Sequence, residues 1–407
     1  MIDQRTRSED SIVFTPPSAF FGGQFQTLVS QGSALIAPWL EAKKLKPFMV
    51  ECDGQCWLLQ IENGQPTVRV VLDSDATLEE GAHLRINADD FSGLVNDLYT
   101  PTTFFSGGDL DMPRGHVGHF MSWWLLLRAL IDKRPLHVPG MIDFSDLNGG
   151  ELDLTRSFSL EDSIIEMRHF LETAGFLHLR GVFTEDEMAA VSAEMDAAHG
   201  SYHEGDGKSW WASTADGKRQ LVRMQSFDQR SPATAKLLQE ARFQKIADIP
   251  DENFVHQGLE DNVIEALFKP IGVVEGLSDL PFHKDCAQGR HSFDCCLMIV
   301  GISVTGAGAE SGQLGVIAGS HRALMPPSML SDPHAFGLPV VPLPTDTGDI
   351  TVHLSCTHHA AYAPTERERR VMYTSFRFHD VSVATDNDSR AKISKARESA
   401  YTRLSDK

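Results

Sequence analysis

His283 and Asp285 stand two positions apart in the run LPFHKD. In an extended chain, residues two apart project to the same side, so this imidazole and this carboxylate can hold one metal ion. The combination suits Fe(II), and a second, distant histidine would complete a facial triad that leaves coordination positions open. The pair alone is weak evidence, because similar pairs are common in surface loops.

A second segment, Gly348–His359, offers the distant histidine. It predicts a strand that ends in His358 and His359, the latter 76 positions after His283 (359 − 283). Arg370 follows 11 positions later (370 − 359), on the next predicted strand. A buried arginine beside a metal can form a paired salt bridge with the distal carboxylate of 2-oxoglutarate.

The elements that must position these residues form the second of two regions, which separate near residue 150 at a polar stretch containing Gly149-Gly150. An amphipathic helix over Leu160–Ala174 precedes a strand at Phe176–Leu179, and Thr184 with Glu187 predicts a capping box for another helix. Short alternating strands follow. This order predicts a double-stranded β-helix (jelly roll) with flanking helices over residues 160–383.

The first region predicts a small α+β domain over residues 23–145, so the fold class of the whole chain is α+β. A helical pattern covers Gly23–Glu41, alternating runs predict strands between residues 46 and 73, and Asn63-Gly64 predicts a hairpin. Ala88–Leu98 and Phe120–Ile131 predict further helices. Residues 1–22 and 384–407 are expected to be tails.

Composition excludes several classes of function. The chain has 407 residues and a net charge of −20, which argues against nucleic-acid binding because phosphate contacts need clustered Lys and Arg. No apolar run reaches the roughly 18 residues of a membrane span, and the start lacks one of signal-peptide length, so a cytoplasmic location is expected. Six cysteines are too sparse for a disulfide scaffold, and Cys52 and Cys56 lack the second pair of a structural zinc site.

The motifs of the second region resemble the phytanoyl-CoA dioxygenase family of Fe(II)/2-oxoglutarate oxygenases over about residues 165–380. The resemblance lies in FLHLRGV before the helix led by Thr184, in HKD, in SGQL through GSHR, and in GDITVHLSCTHH with Arg370 after it. It implies a metal site of His283, Asp285 and His359, with Fe(II) as the metal, and 2-oxoglutarate as a co-substrate held by Arg370.

The resemblance also selects one residue from each of two neighbouring pairs. The family's distal ligand lies 11 positions after the glycine of its Gly-Asp pair, and 348 + 11 gives His359. Its co-substrate arginine lies 11 positions further on, which gives Arg370 over Arg369. His358 remains the alternative ligand.

One departure concerns Ala360-Ala361, where the family often has Gly-Ser and the serine helps to bind 2-oxoglutarate. Candidates to replace that hydroxyl are Thr351, Thr374 and Arg223. Asp285 itself favours hydroxylation over halogenation, because related halogenases lack this carboxylate.

Other conspicuous residues have more ordinary interpretations. His353 precedes His359 on the same predicted strand, but a continuous strand would hold them about 20 Å apart, outside one metal site. His321 is interpreted as a structural histidine. His291 and Trp210-Trp211 are candidates for substrate contacts.

The first region resembles sterol-carrier-protein-2-like domains over about residues 25–135, in the runs LRINADDF and FFSGGDL and in Gly118–Ile131. This resemblance implies an apolar tunnel for a fatty-acyl or sterol-like ligand. The alternative is an accessory domain that only stabilises the chain or dimerises.

These features predict a dioxygenase that hydroxylates a small-molecule substrate of lipophilic or acyl character and releases succinate and CO₂. Two alternatives remain open. One is a lipid carrier with an inactive oxygenase-like domain, and the other is a cupin-like metal enzyme that does not use 2-oxoglutarate.

Overall fold

The computed structural model describes residues 13–71, 81–97, 100–251, 254–256, 263–276, 279–288, 297–328, 330 and 332–378. The α-helices are α1 (Pro17–Ala19), α2 (Phe25–Ala42), α3 (Ala88–Val95), α4 (Pro101–Gly107), α5 (Val117–Asp132), α6 (Ile164–Ala174), α7 (Glu185–Ala198), α8 (Pro232–Gln239) and α9 (Ala241–Gln244). The strands of the first region are β1 (Phe48–Cys52), β2 (Gln55–Glu62), β3 (Gln65–Val71), β4 (Ala82–Arg85) and β5 (Asp111–Arg114).

The strands of the second region begin with β6 (Phe176–Leu179), β7 (Ser209–Thr214), β8 (Arg219–Met224), β9 (Phe254–His256), β10 (Glu265–Lys269), β11 (Val273–Glu275) and β12 (Leu280–His283). They continue with β13 (Leu297–Ser303), β14 (Leu314–Ile317), β15 (Val340–Leu343), β16 (Ile350–Leu354), β17 (His359–Ala361) and β18 (Arg369–Phe378).

The first region folds around one sheet with the strand order β3-β2-β1-β4-β5, in which β1 and β4 are parallel. Asn63 and Gly64 both have positive φ, which fits the two-residue turn that joins β2 to β3 and confirms the predicted hairpin. Helices α2 and α5 pack together beside the sheet. Their apolar faces and the sheet share a core rich in Phe and Trp.

This domain begins earlier than the sequence indicates. Residues 1–22 are expected to be a tail, but Phe20 is fully buried and Phe21 is 7% exposed, and both rings contact Phe91. A π-helical turn over Phe20–Gln24 leads directly into α2. The Gly22-Gly23 pair hides this helical start in the sequence, because glycine is unfavourable inside helices.

The second region forms two sheets. The larger has the strand order β11-β7-β8-β10-β18-β13-β16-β6, with β9 also paired to β18, and the smaller has the order β12-β17-β14-β15. All the pairings within them are antiparallel among the described residues. Residues of both sheets and of helices α6, α7 and α8 share one core. This arrangement fits the predicted jelly roll with flanking helices.

The end of α6 and the start of α7 have the capping residues that the sequence predicts. Gly175 ends α6 in the left-handed conformation with φ 86°. Thr184 and Glu187 form the capping box that starts α7. Strand β6 lies between them and pairs with β16, the strand that contains Thr351 and His353.

The polar stretch expected as a linker packs on the second domain. Phe158 is fully buried in that domain's core, and its N–H donates to the carbonyl of His178 at 2.8 Å. Leu152 joins the same core. The packing of the second domain therefore extends back to Leu152, because three apolar side chains (Leu152, Leu154 and Phe158) anchor an otherwise polar run.

Asp349 fixes the start of β16 from a nearly buried position, with 4% of its surface exposed. Its Oδ2 accepts from His178 Nε2 at 2.7 Å and from the Asp346 N–H at 2.9 Å, and its Oδ1 accepts from the Gly181 N–H at 2.8 Å. Burial raises the pKa of Asp349, but these hydrogen bonds outweigh burial and leave the pKa below its usual value. The carboxylate therefore ties β6, the following loop and β16 together.

No helix of the described residues combines the length and the apolar character that crossing a membrane requires.

We expect Asp349→Ala to lower the free energy of unfolding of the second domain by about 2 to 4 kcal/mol, because a buried carboxylate and its three partly buried hydrogen bonds are lost together. Chemical denaturation measures the change. Asp346→Ala is the matched control: its side chain is exposed, so a change within about 0.5 kcal/mol is expected. Equal effects of the two substitutions would contradict this role for Asp349.

Candidate metal centre

The pairing of β12 with β17 places His283 directly opposite His359. Asp285 follows β12 in a short 3-10 turn, Asp285–Gln288, and turns its carboxylate toward both rings. Asp285 Oδ1 lies 3.5 Å from His283 Nε2 and 3.7 Å from His359 Nε2. One ligand atom from each of these three residues lies within 4.8 Å of the other two, so they can hold one metal ion.

Backbone carbonyls fix both imidazole rings. His283 Nδ1 lies 2.8 Å from the carbonyl of Pro281, and His359 Nδ1 lies 3.1 Å from that of Thr357. A carbonyl only accepts, so each Nδ1 carries the proton and each Nε2 presents its lone pair toward Asp285. Metal-binding histidines are commonly oriented in this way, so these side chains fit a divalent metal.

The electrostatics of His359 and Asp285 also favour a metal. Burial and the neighbouring His353 hold the pKa of His359 well below its usual range, so this ring is neutral near pH 7. Burial raises the pKa of Asp285, but the electrostatic interactions with the neighbouring imidazoles of His359 and His283 outweigh burial and hold that pKa well below its usual range. A neutral imidazole and an ionised carboxylate are the ligand forms that a metal requires.

His358 lies on the other side of the chain from this cluster. Its ring is fully buried, its Nε2 lies 2.7 Å from the carbonyl of Pro326, and its N–H donates to Ser320 Oγ at 2.7 Å. Neighbouring residues in an extended segment point to opposite faces, so only one of the two adjacent histidines can face Asp285. The structure places His359 there.

His353 lies close to the cluster, whereas a continuous strand would hold it about 20 Å from His359. Strand β16 ends at Leu354, a turn follows in which the Thr357 N–H donates to the Leu354 carbonyl, and β17 then belongs to the other sheet. This crossing brings the ring centroids of His353 and His359 to 4.1 Å. The expectation that His353 is remote is therefore wrong, because the chain does not continue as one strand.

The register of the large sheet decides which arginine faces the cluster. His353 pairs with Ile299, and Ile299 pairs with Ser375, so these three side chains share a face. Alternation along β18 puts Arg369 on that same face and Arg370 on the opposite one.

Arg370 is consequently directed away from the metal cluster. Its guanidinium donates to the carbonyl and the hydroxyl of Ser192 at 2.9 Å, pairs with Asp196 at 2.8 Å, and lies over the ring of Phe268. Both Ser192 and Asp196 belong to α7, on the outer side of the sheet. The structure therefore corrects the expectation for Arg370: the spacing carried over from the family counts one residue too far for the loop between β17 and β18.

Arg369 is 4% exposed, and its Nε and Nη2 have no hydrogen-bond partner among the described residues. Lys269, its partner across the strands, is 2% exposed and donates to the carbonyl of Tyr362 at 3.2 Å. Burial and the charge of Arg369 lower the pKa of Lys269 to about 7. The buried guanidinium of Arg369, with unused donors and with the amine of Lys269 opposite it, forms a site suited to an anion.

Two of the three candidates to replace the missing serine hydroxyl have other roles in the structure. Thr374 lies on the outer face, where its hydroxyl contacts His256 Nε2 at 2.8 Å and donates to the Val263 carbonyl at 2.6 Å. Arg223 pairs with Glu265 at 2.9 Å and stacks over Trp210 at 4.0 Å. Thr351 shares the inner face with His353, because the two residues are two positions apart on β16.

His321 and Trp211 contact residues outside the metal cluster. His321 Nε2 lies 2.9 Å from the carbonyl of Glu172, and burial lowers its pKa to about 4, which fits the interpretation as a structural histidine. The ring of Trp211 meets that of His199 edge to face. His291 lies outside the described residues.

The first domain contacts the segments that surround the cluster. Helix α4 packs against the turn Asp285–Gln288, and Thr102 Oγ1 lies 2.8 Å from Ser328 Oγ. Nearby, Leu136 forms a parallel bridge with Leu324, which joins the core of the first domain. The loop that contains Asp285 is therefore held from both domains, which no sequence motif indicates.

Several solved structures resemble part of the chain. AviO1 from Streptomyces viridochromogenes Tue57 is 19% identical with a TM-score of 0.44, and the match covers 54% of this chain and 96% of that one. The epimerase SnoN, in complex with Fe³⁺, alpha ketoglutarate and nogalamycin RO, is 19% identical with a TM-score of 0.41 over 53% of this chain and 83% of that one. EctD from S. alaskensis is 17% identical with a TM-score of 0.44 over 61% of this chain and 85% of that one.

These sequence identities and TM-scores are too low for any of the three structures to support an argument about activity.

No curated protein matches the chain. A family model gives the positive result: the one described as phytanoyl-CoA dioxygenase (PhyH) matches residues 171–371, 201 of the 407 residues (371 − 171 + 1). The matched segment contains His283, Asp285, His359 and both arginines. Residues 171–371 are thus a domain of the phytanoyl-CoA dioxygenase family.

Proposed function

We propose that the protein is an Fe(II)- and 2-oxoglutarate-dependent dioxygenase that hydroxylates a small-molecule substrate. The observation that carries this proposal is the combination of His283, Asp285 and His359 in one cluster with the unpaired, buried Arg369 on the facing sheet. A metal cluster alone would suit many reactions. A buried cation with unused donors on the same sheet face as His353 favours a co-substrate that carries a second, free carboxylate.

The donor set fits Fe(II) because two imidazoles and one carboxylate form the facial triad of non-haem iron oxygenases, with positions left for a chelating co-substrate and oxygen. When bound, iron and 2-oxoglutarate supply the oxidising chemistry, in which the substrate gains one oxygen atom and the co-substrate becomes succinate and CO₂. The protein binds, orients and shields these groups.

Arg369 takes the role that the sequence assigns to Arg370. Its planar guanidinium suits paired hydrogen bonds to a carboxylate, and neutralising it removes an unpaired charge from the interior. Lys269 adds a further hydrogen-bond donor opposite Arg369, so it can compensate for the hydroxyl absent at Ala361. This pair counts against a cupin-like enzyme that does not use 2-oxoglutarate.

The first domain is proposed to have an accessory role. Its core is filled by aromatic side chains in mutual contact, including Phe20 with Phe25 and Phe48 with both Phe120 and Trp123. Such packing favours the accessory alternative over an apolar tunnel. The proposed substrate is therefore described only as a small molecule, without a lipophilic or acyl character.

Replacing His359 tests the metal centre. Anaerobic addition of Fe(II) and 2-oxoglutarate to the wild-type protein is expected to give the visible metal-to-ligand band, with succinate released when oxygen and substrate are added. We expect His359→Ala to lose the band and to weaken Fe(II) binding more than about 100-fold, because a ligand is removed. His358→Ala is the matched control and should keep the band, provided that circular dichroism shows a folded protein. Loss of the band in His358→Ala but not in His359→Ala would make His358 the metal ligand in place of His359.

Replacing each arginine tests the co-substrate site. Arg369→Met is expected to raise the Kd for 2-oxoglutarate at least about 30-fold, since truncating one partner of a buried charge pair costs about 2 kcal/mol or more. Arg370→Met removes a partly exposed pair with Asp196 and should change that Kd less than about twofold. Calorimetry with the metal-loaded protein measures both. A larger rise in the Kd for 2-oxoglutarate in Arg370→Met than in Arg369→Met would return the co-substrate role to Arg370. An unchanged Kd in both variants would favour an enzyme that does not use 2-oxoglutarate.

A further inference from the structure

His353 is a buried histidine at the metal cluster that the proposed ligand set does not use. It is 1% exposed, and neither ring nitrogen has a hydrogen-bond partner by strict geometry among the described residues. An imidazole without partners in the interior is unfavourable by about 1 to 3 kcal/mol. This cost is offset if a group of the metal cluster accepts a hydrogen bond from the ring of His353.

The nearest acceptor to His353 is the carboxylate of Asp285. His353 Nε2 lies 3.5 Å from Asp285 Oδ2, whereas His283 and His359 both approach Oδ1, at 3.5 and 3.7 Å. The two carboxylate oxygens thus face different histidines. Oδ1 points to the ligand pair, and Oδ2 points to His353.

We infer that His353 is a positioning residue that donates from Nε2 to Oδ2 of Asp285 and so leaves Oδ1 as the single oxygen available to the metal. This inference rests on the proposed function for the identity of the cluster. A contact of 3.5 Å is at the long end for a hydrogen bond, and a small rotation of either side chain shortens it. Such partners behind a ligand fix its orientation and raise metal affinity.

The competing role for His353 is that of a fourth ligand. Four protein ligands in an octahedral site would leave two positions, which a chelating co-substrate would fill, with none left for oxygen. The geometry also disfavours it, because the group of atoms close enough to share one ion contains His283, Asp285 and His359 and omits His353. A hydrogen bond from His353 Nε2 to Asp285 Oδ2 gives the imidazole a partner and leaves three coordination positions of the metal open.

The test measures Co(II) binding without 2-oxoglutarate or oxygen, with Co(II) as a spectroscopic probe of the site. His353→Phe fills the space but cannot donate, and we expect its Kd for Co(II) to rise about 10- to 100-fold. His353→Gln keeps an N–H donor and is expected to bind within about threefold of wild type, while His353→Asn, whose amide is too short to reach Oδ2, is expected to resemble His353→Phe. The visible bands should keep the wild-type ligand field in all variants once saturated.

The control is Ile299→Val, at the cross-strand partner of His353 on the same face, which should leave the Kd for Co(II) unchanged. Wild-type affinity in His353→Phe would overturn the inference. Loss of affinity that His353→Gln does not restore, with a changed ligand field at saturation, would make His353 a ligand and also overturn it. If His353→Phe does not fold, the Kd for Co(II) of His353→Gln is compared with that of His353→Asn, and equal values would overturn the inference. Absence of Co(II) binding in the wild-type protein would instead reject the metal centre itself.

Discussion

The antiparallel pairing of β12 with β17 is the interaction on which the site depends, because it sets His283 opposite His359. Both strands belong to the small sheet, and the backbone carbonyls that bind each Nδ1 come from the same two segments. A shift of one residue in this register would turn His359 away and bring His358 forward, since side chains alternate. The polar contacts that hold His358 on its own side, with Pro326 and Ser320, make such a shift unfavourable.

The large sheet contributes the other half of the site through a second, independent register. Strand β18 lies between β10 and β13, so its inner face is fixed from both sides. Arg369 and Lys269 are neighbours on that face, with His353 on the strand beyond β13. The two sheets therefore have distinct chemical tasks: the small one holds the proposed metal ligands, and the large one supplies the positive charge for the proposed co-substrate.

Local patterns in the sequence predict most of the helices and strands, and the three proposed ligands lie together in the structure as expected. The hairpin at Asn63-Gly64, the capping box at Thr184 and the cluster of His283, Asp285 and His359 all follow from residue types a few positions apart, or from a family spacing. Arg370 shows where such spacing fails, because a one-residue difference in the loop before β18 reverses the face of every side chain after it. His353 shows a second limit: nothing local reveals that the chain crosses from one sheet to the other after Leu354.

The division of the site between two sheets has a consequence for the lifetime of the protein in the cell. Ligands that bridge the sheets bind the folded domain and not the unfolded chain, so saturation at a hundred times Kd adds about 2.7 kcal/mol to the free energy of unfolding. Without them, the unpaired charge of Arg369 and the polar cluster opposite it weaken the sandwich at its centre. Supply of iron and 2-oxoglutarate would then set how often the domain opens to proteases, and through that the amount of enzyme present.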